Sequence, residues 1–129
     1  MFDHLSVSVR DLDRAVAIYA AALAPLGITL LWRTPRAAGF GPAGFTGEAP
    51  FALVVPRDGV VATDTATHLA FAAPSREAVQ AFHAGAVAAG ATDDGPPGVR
   101  EAYDPGYDAA LLLDADNPRV EAVVHARLG

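Results

Sequence analysis

The chain contains no cysteine, which excludes disulfide bonds, thiolate nucleophiles and cysteine-ligated zinc. Basic residues are also few: nine Lys and Arg against fifteen Asp and Glu give a formal net charge of −6 over 129 residues. This charge argues against nucleic-acid and anionic-membrane partners, which require clustered basic side chains. No apolar run approaches the roughly 20 residues that a membrane span needs. These absences predict a soluble protein with no membrane partner.

The N-terminus leads directly into a strand pattern, without the basic region and apolar segment of a secretory signal. A cytoplasmic location is therefore expected. A chain of 129 residues also fits one domain, residues 1–129, which is large enough to bury a core without covalent cross-links.

The sequence contains an internal repeat of one unit. The pair His4-Leu5 recurs as His68-Leu69, 64 residues later, which is about half the chain length. Each pair opens a run of alternating side chains, a strand signal, and each run leads to a residue that caps helices well, Asp11 or Ser75. A helix pattern follows in both copies, so the two histidines occupy the same place in two similar units.

The predicted order in each unit is βαβββ, with repeat 1 at about residues 1–57 and repeat 2 at about 66–129. Within the second helix, Val87 is predicted to be buried. A loop is predicted from Asp93 to Gly98, because two prolines lie in it. Strands are predicted at 4–9, 28–33, 38–40, 51–55, 67–72, 99–103, 108–113 and 119–126, and helices at 12–24 and 76–89. The fold class is therefore α+β.

The sequence resembles the vicinal oxygen chelate superfamily, which includes glyoxalase I, extradiol dioxygenases, fosfomycin-modifying transferases and bleomycin-resistance proteins. The resemblance covers essentially the whole chain and implies curved mixed sheets around a cleft. It rests on these segments: His4 to Val9 with Asp11, Leu12 and Tyr19; His68 to Phe71; Tyr103 to Tyr107; Asp114 to Asn117; and Val120 to Val123.

The resemblance implies a divalent metal site at His4, His68 and Glu121. The residues themselves agree, since Glu121 lies in the middle of an apolar strand, where an unpartnered carboxylate is costly. Zinc, manganese, iron or nickel could fill a site of two imidazoles and one carboxylate. Any one of these side chains alone would more often have a structural role than bind a metal. The three together, at positions related by the repeat, favour a metal site. Members of the family with four ligands carry the additional one on the strand that ends the first repeat. At the position there that corresponds to Glu121 this sequence has Ala52, so the fourth ligand is missing.

Aromatic residues in and around the glycine-rich segments suggest a substrate pocket, although aromatics in such segments are also common as plain core. The predicted walls of the pocket are Trp32, Phe40, Phe45, Tyr103 and Tyr107, with Arg33, Arg36 and Arg100 as candidate anion binders. Tyr103 and Tyr107 flank a rigid turn ahead of a strand expected beside Glu121, so these three residues are the predicted catalytic groups. His83 and His125 are interpreted as structural or solvated.

Two functions remain open at this point. One is a metal-dependent lyase, isomerase, transferase or dioxygenase acting on a small oxygen-bearing substrate through a Lewis-acid ion. The other is a metal-free protein that binds a drug-like ligand, in which the histidine and glutamate bond to one another. Relatives of this length usually pair, so a homodimer is expected, with His4 of one chain facing His68 and Glu121 of the other.

Overall fold

The computed structural model describes residues 1–61, 66–100, 106–113, 116 and 119–125. The two halves of this part of the chain repeat one element order, which confirms the predicted α+β fold of two βαβββ units. The elements are β1 (Leu5–Ser8), α1 (Leu12–Leu23), a short 3₁₀ helix (Ala24–Leu26), β2 (Ile28–Arg33), β3 (Ala37–Pro42), β4 (Phe51–Val54), β5 (His68–Ala72), α2 (Arg76–Ala88), β6 (Thr92–Val99), β7 (Tyr107–Leu113) and β8 (Arg119–His125).

Both helices begin at the predicted caps. The Asp11 side chain accepts a hydrogen bond from the backbone N–H of Arg14, and Ser75 accepts one from Ala78. Each bond satisfies one of the backbone donors that the first helical turn leaves without a partner. With 12 and 13 residues, neither α1 nor α2 has the length to cross a membrane.

Each unit forms its own four-stranded sheet, in the order β1-β4-β3-β2 and β5-β8-β7-β6. The first strand of each unit pairs in parallel with the last, and the other pairs are antiparallel. Ser6 pairs with Ala52, and Ala70 pairs with Glu121. Because Ser6 and Ala70 are themselves related by the 64-residue repeat, Ala52 is the structural counterpart of Glu121.

One face of each sheet packs on the helices, and we call the other the helix-free face. On the first sheet Phe40 and Leu53 belong to the helix side and are fully buried. Strand alternation places Gly39 and Ala52 on the helix-free face. On the second sheet the alternation places Ala110, Leu112, Val120 and Ala122 on the helix side, and Tyr107, Ala109, Leu111, Glu121 and Val123 on the helix-free face.

The two units contact each other through their helices. A Cβ built on Gly85 of α2 would lie 2.9 Å from the carbonyl oxygen of Ala21 in α1, so this glycine allows the helix backbones to approach closely. An ion pair adds a second link. The Arg10 guanidinium lies 2.9 Å from Oδ1 of buried Asp116, whose Oδ2 accepts from the Arg10 backbone N–H at 3.1 Å.

Two local predictions were wrong. The segment from Asp93 to Gly98 is part of β6 and not a loop, although it contains Pro96 and Pro97. β6 is an edge strand whose pairing with β7 shifts register twice, and edges and bulges tolerate a residue without an N–H. Val87 is 40% exposed, because it lies on the outer side of α2. Of the strand predicted at 99–103, residues 101–103 lie outside the described residues.

Gly85→Ala is expected to destabilise the chain by roughly 1–3 kcal/mol, because the added methyl group forces the helices apart. Helix propensity alone predicts the opposite, a gain of about 1 kcal/mol. Urea unfolding measures the difference, and Ala81→Gly, at an exposed position of α2, calibrates the propensity effect. A Gly85→Ala variant more stable than the parent would contradict this packing.

Asp93→Asn is expected to lower stability at neutral pH and to flatten its acid dependence. The hydrogen bond from His83, 2.9 Å long, and a second from the Gly95 N–H lower the pKa of Asp93. A carboxylate with a lowered pKa contributes stability above its ordinary pKa, and this is lost as the pH falls through the folded value. Urea unfolding at pH 7, 4 and 3 tests this, with Glu48→Gln as an exposed control. Equal acid sensitivity in the Asp93→Asn variant and the parent would refute it.

Candidate functional site

A buried carboxylate lies at the centre of the second sheet. Glu121, on β8, is only 2% exposed. Its Oε1 lies 2.8 Å from Nε2 of His68 at the start of β5, and its Oε2 accepts a hydrogen bond from the Tyr107 hydroxyl at the start of β7. Three adjacent strands therefore contribute one residue each to a His68–Glu121–Tyr107 cluster on the helix-free face.

Tyr107 is held in place from a second direction. Its ring contacts the ring of His125 edge-on, with centroids 5.0 Å apart and an interplanar angle of 84°. The two residues are also directly paired between β7 and β8. His125, which the sequence suggested was structural, thus packs against a residue that binds Glu121.

The third predicted ligand is not close to the other two in the chain. His4 directly precedes β1, its side chain is 51% exposed, and its Nδ1 lies 2.6 Å from the Asp3 carboxylate. This hydrogen bond is the main cause that raises the pKa of His4, because it favours the protonated ring. Among the described residues no group of three or more His, Asp or Glu side chains is placed to hold a metal ion.

An apolar cavity of about 530 Å³ opens beside His68. It lies between the edge strands β1 and β5, where the two sheets come together, and Phe51 and Phe71 meet there edge to face with centroids 5.3 Å apart. His68 is its one ionisable lining residue among those described. The other lining residues are Phe2, Leu5, Ile28, Phe40, Gly41, Pro42, Pro50, Phe51, Leu69, Ala70 and Phe71.

The predicted wall residues lie in different places. Phe40 is fully buried and lines the cavity, whereas Phe45 follows β3, is 42% exposed and is not among the described lining residues. The Trp32 ring packs on Gly39, where any Cβ would overlap it. Arg100 follows β6, and Tyr103 lies outside the described residues.

Sequence reasoning missed the cavity walls Leu5, Phe51 and Phe71. Alternation had assigned Leu5 to the face opposite His4, and the other two fell in predicted strands without a functional role. The signal that could have found them is the repeat, since Leu5 and Leu69 are counterparts on two edge strands, each paired on one side only. Apolar side chains at the same position of two such edges indicate a shared apolar space.

The comparisons with known proteins agree with the fold. The sequence profile of the Glyoxalase/Bleomycin resistance protein/Dioxygenase superfamily matches residues 1–121. A glyoxalase/bleomycin resistance protein from Albidiferax ferrireducens T118 is similar in structure, with a TM-score of 0.82 and 32% identity over 95% of this chain and 98% of that chain. No curated protein matches the chain.

More distant solved structures share the fold. The fosfomycin resistance protein FosX from Mesorhizobium loti has a TM-score of 0.67 and 19% identity, over 98% of this chain and 92% of that chain. TioX from Micromonospora sp. ML1 has a TM-score of 0.63 and 20% identity, over 98% and 99%. The profile match and the relative at 32% identity show that the chain belongs to the glyoxalase/bleomycin resistance protein/dioxygenase superfamily.

Proposed function

We propose that this protein is a divalent-metal-dependent enzyme that acts on a small, oxygen-bearing organic molecule at the His68–Glu121–Tyr107 cluster. The observation that carries the proposal is the buried Glu121 carboxylate, which lies 2.8 Å from an imidazole nitrogen of His68, a residue that also lines an apolar cavity. Active sites commonly combine a few convergent polar groups with an apolar pocket in this way.

The donor atoms fit an ion. Two ligand atoms that bind one metal at about 2.0–2.2 Å lie roughly 3 Å from each other. His68 Nε2 and Glu121 Oε1 have about this separation, so they suit two neighbouring coordination positions. The ion would take the place of the Nε2 proton, with the remaining imidazole proton at Nδ1. Zinc, manganese, iron and nickel all accept this ligand set.

A second copy of the chain supplies the third donor in this proposal. β1 and β5 are edge strands of their sheets, and Leu5 on β1 is 41% exposed. Unpaired strand edges favour pairing with another chain. A two-fold homodimer that joins these edges would cover the cavity between them and bring His4 of one chain to His68 and Glu121 of the other.

The chain's own residues have distinct roles in this site. A bound divalent cation would supply Lewis-acid stabilisation of negative charge that develops on a substrate oxygen. The Tyr107 hydroxyl holds Glu121 Oε2 and so orients Oε1 towards His68. Glu121 Oε1 has two alternative roles: it stays bound to the ion, or it leaves the ion and accepts a substrate proton. Phe51, Leu69 and Phe71 line the apolar cavity next to His68.

A second candidate function is metal-free binding of a drug-like molecule. The specific observation in its favour is that His68 and Glu121 hydrogen-bond to each other, which satisfies both side chains without an ion. The cavity volume of about 530 Å³ is in the range of pockets that take such ligands. This function predicts ligand binding that chelators do not change.

Calorimetric titration with Zn²⁺, Mn²⁺, Fe²⁺ and Ni²⁺ tests the metal site. We expect the parent to bind one ion per chain, Glu121→Gln and His68→Asn to lose binding, and Tyr107→Phe to bind about 10–100-fold more weakly, because it removes a partner of a ligating carboxylate. His83→Asn, on α2 and bonded to Asp93, is the matched control and should bind like the parent. Failure of the parent to bind Zn²⁺, Mn²⁺, Fe²⁺ or Ni²⁺ would leave metal-free binding as the function.

Mixing two inactive variants tests whether the site is shared between chains. In a heterodimer of His4→Asn with Glu121→Gln, one site receives intact His4 from one chain and intact His68 and Glu121 from the other. We therefore expect subunit exchange to restore up to one metal site per heterodimer. A mixture of His68→Asn with Glu121→Gln is the control, since both sites stay defective. No recovery in the first mixture, with heterodimers verified by mass spectrometry, would rule out the shared site.

A further inference from the structure

Arg100 lies across the helix-free face of the second sheet. A Cβ built on Gly95 would come 3.3 Å from its Nη2, and a Cβ on Gly98 would come 3.3 Å from its Nη1. The guanidinium therefore runs along β6 over two positions that carry no side chain. Gly95 pairs with Leu111, and Leu111 pairs with Glu121, so Arg100 shares this face with the His68–Glu121–Tyr107 cluster.

The carboxylates near Arg100 in the described part of the second unit already have other basic partners. In the described part of the second unit, four carboxylates each have a partner other than Arg100: Asp93 with His83, Asp94 with Arg119, Asp108 with Arg76, and Glu121 with His68. The Arg100 guanidinium donates to the Pro96 carbonyl oxygen at 2.6 Å and makes no ion pair with a described carboxylate. The Pro96 carbonyl is its one hydrogen-bond acceptor among the described residues, so most of its five N–H donors are available to a ligand.

A partly buried guanidinium in this position is suited to an anion. A carboxylate of a ligand would form two parallel hydrogen bonds with the planar guanidinium. The surface between Arg100 and the cluster is apolar, with Ala109, Leu111 and Val123 on the same face. Gly95 is two strands from Glu121, a distance of about 10 Å.

We propose that Arg100 binds the carboxylate of a small organic acid whose opposite, oxygen-bearing end reaches the His68–Glu121–Tyr107 cluster. This inference rests on the proposed function and narrows its substrate class to acids with an apolar body about 10 Å long. The carboxylate binds at the β6 edge, the apolar body covers Leu111, and the reacting oxygens lie at Glu121. Arg100 determines specificity in this arrangement and takes no part in the chemistry.

A matched pair of ligands tests the inference. The probes are 3-(4-hydroxyphenyl)propionate and its uncharged primary amide, each titrated into the full chain and followed by ligand-observed NMR. We expect the parent to bind the carboxylate about tenfold more tightly than the amide, because hydrogen bonds to a charged group add affinity. Arg100→Gln should bind both equally. Arg100→Lys, which keeps the charge but not the two-pronged geometry, should lose most of the preference.

Arg57→Gln, in the exposed turn after β4, is the matched control and should keep the full preference. Equal binding of the two probes by the parent, an unchanged preference in Arg100→Gln, or no binding of either probe would each overturn the inference. The metal titration is independent of these probes. An intact metal site with no preference for the carboxylate therefore removes the role of Arg100 and leaves the proposed function in place.

Discussion

The buried carboxylate of Glu121 constrains the second half of the molecule more than any other group. A charge that is 2% exposed has lost its hydration and needs partners in the protein. His68 and Tyr107 meet this need, and both depend on strand pairing: β5 must run parallel beside β8, and β7 must run antiparallel on its other side. A shift of one residue in either pairing would turn these side chains to the opposite face. The cluster therefore requires this strand order and register, and its contacts in turn stabilise them.

The two units share a fold, but the helix-free faces of their sheets carry different side chains. In the first sheet the position of Glu121 is taken by Ala52, and the same helix-free face carries Gly39 beneath the Trp32 ring. The first unit therefore offers a smooth, uncharged surface, and the second offers the polar cluster. His4 is an exception to this difference, because it is the counterpart of His68 in the first unit and carries the same imidazole group. This division explains why one copy of each unit is needed for a complete site in the proposed dimer.

Most of the fold could be predicted from local sequence signals. The caps at Asp11 and Ser75 and the alternation around His4 and His68 act over short distances, and the structure follows them. The repeat extends the same local signals from one half of the chain to the other. β6 was missed because prolines usually indicate a loop, and only its position at a sheet edge makes them acceptable.

The site was harder to predict than the fold. Glu121 was identified because a charge in an apolar strand requires a reason, and its contact with His68 follows from the pairing of β5 with β8. The separation of His4 from this pair follows from how the units pack, helix against helix, and a single chain's sequence carries no local signal for that. The same long-range packing creates the cavity between β1 and β5, so its walls could not be found from periodicity alone.

The Arg10–Asp116 pair shows how the two units are joined. Arg10 lies just after the first strand of the chain, and buried Asp116 lies just before the last, so the pair links residues 106 positions apart. Together with the close approach of Gly85 to Ala21, it joins the units by side-chain and backbone contacts, and Arg10 also donates to the Val61 carbonyl oxygen in the segment between them. Covalent continuity is thus one connection among several. A chain cut after Val61 would keep the Arg10–Asp116 pair and the Gly85–Ala21 contact, and both favour reassociation of the two fragments.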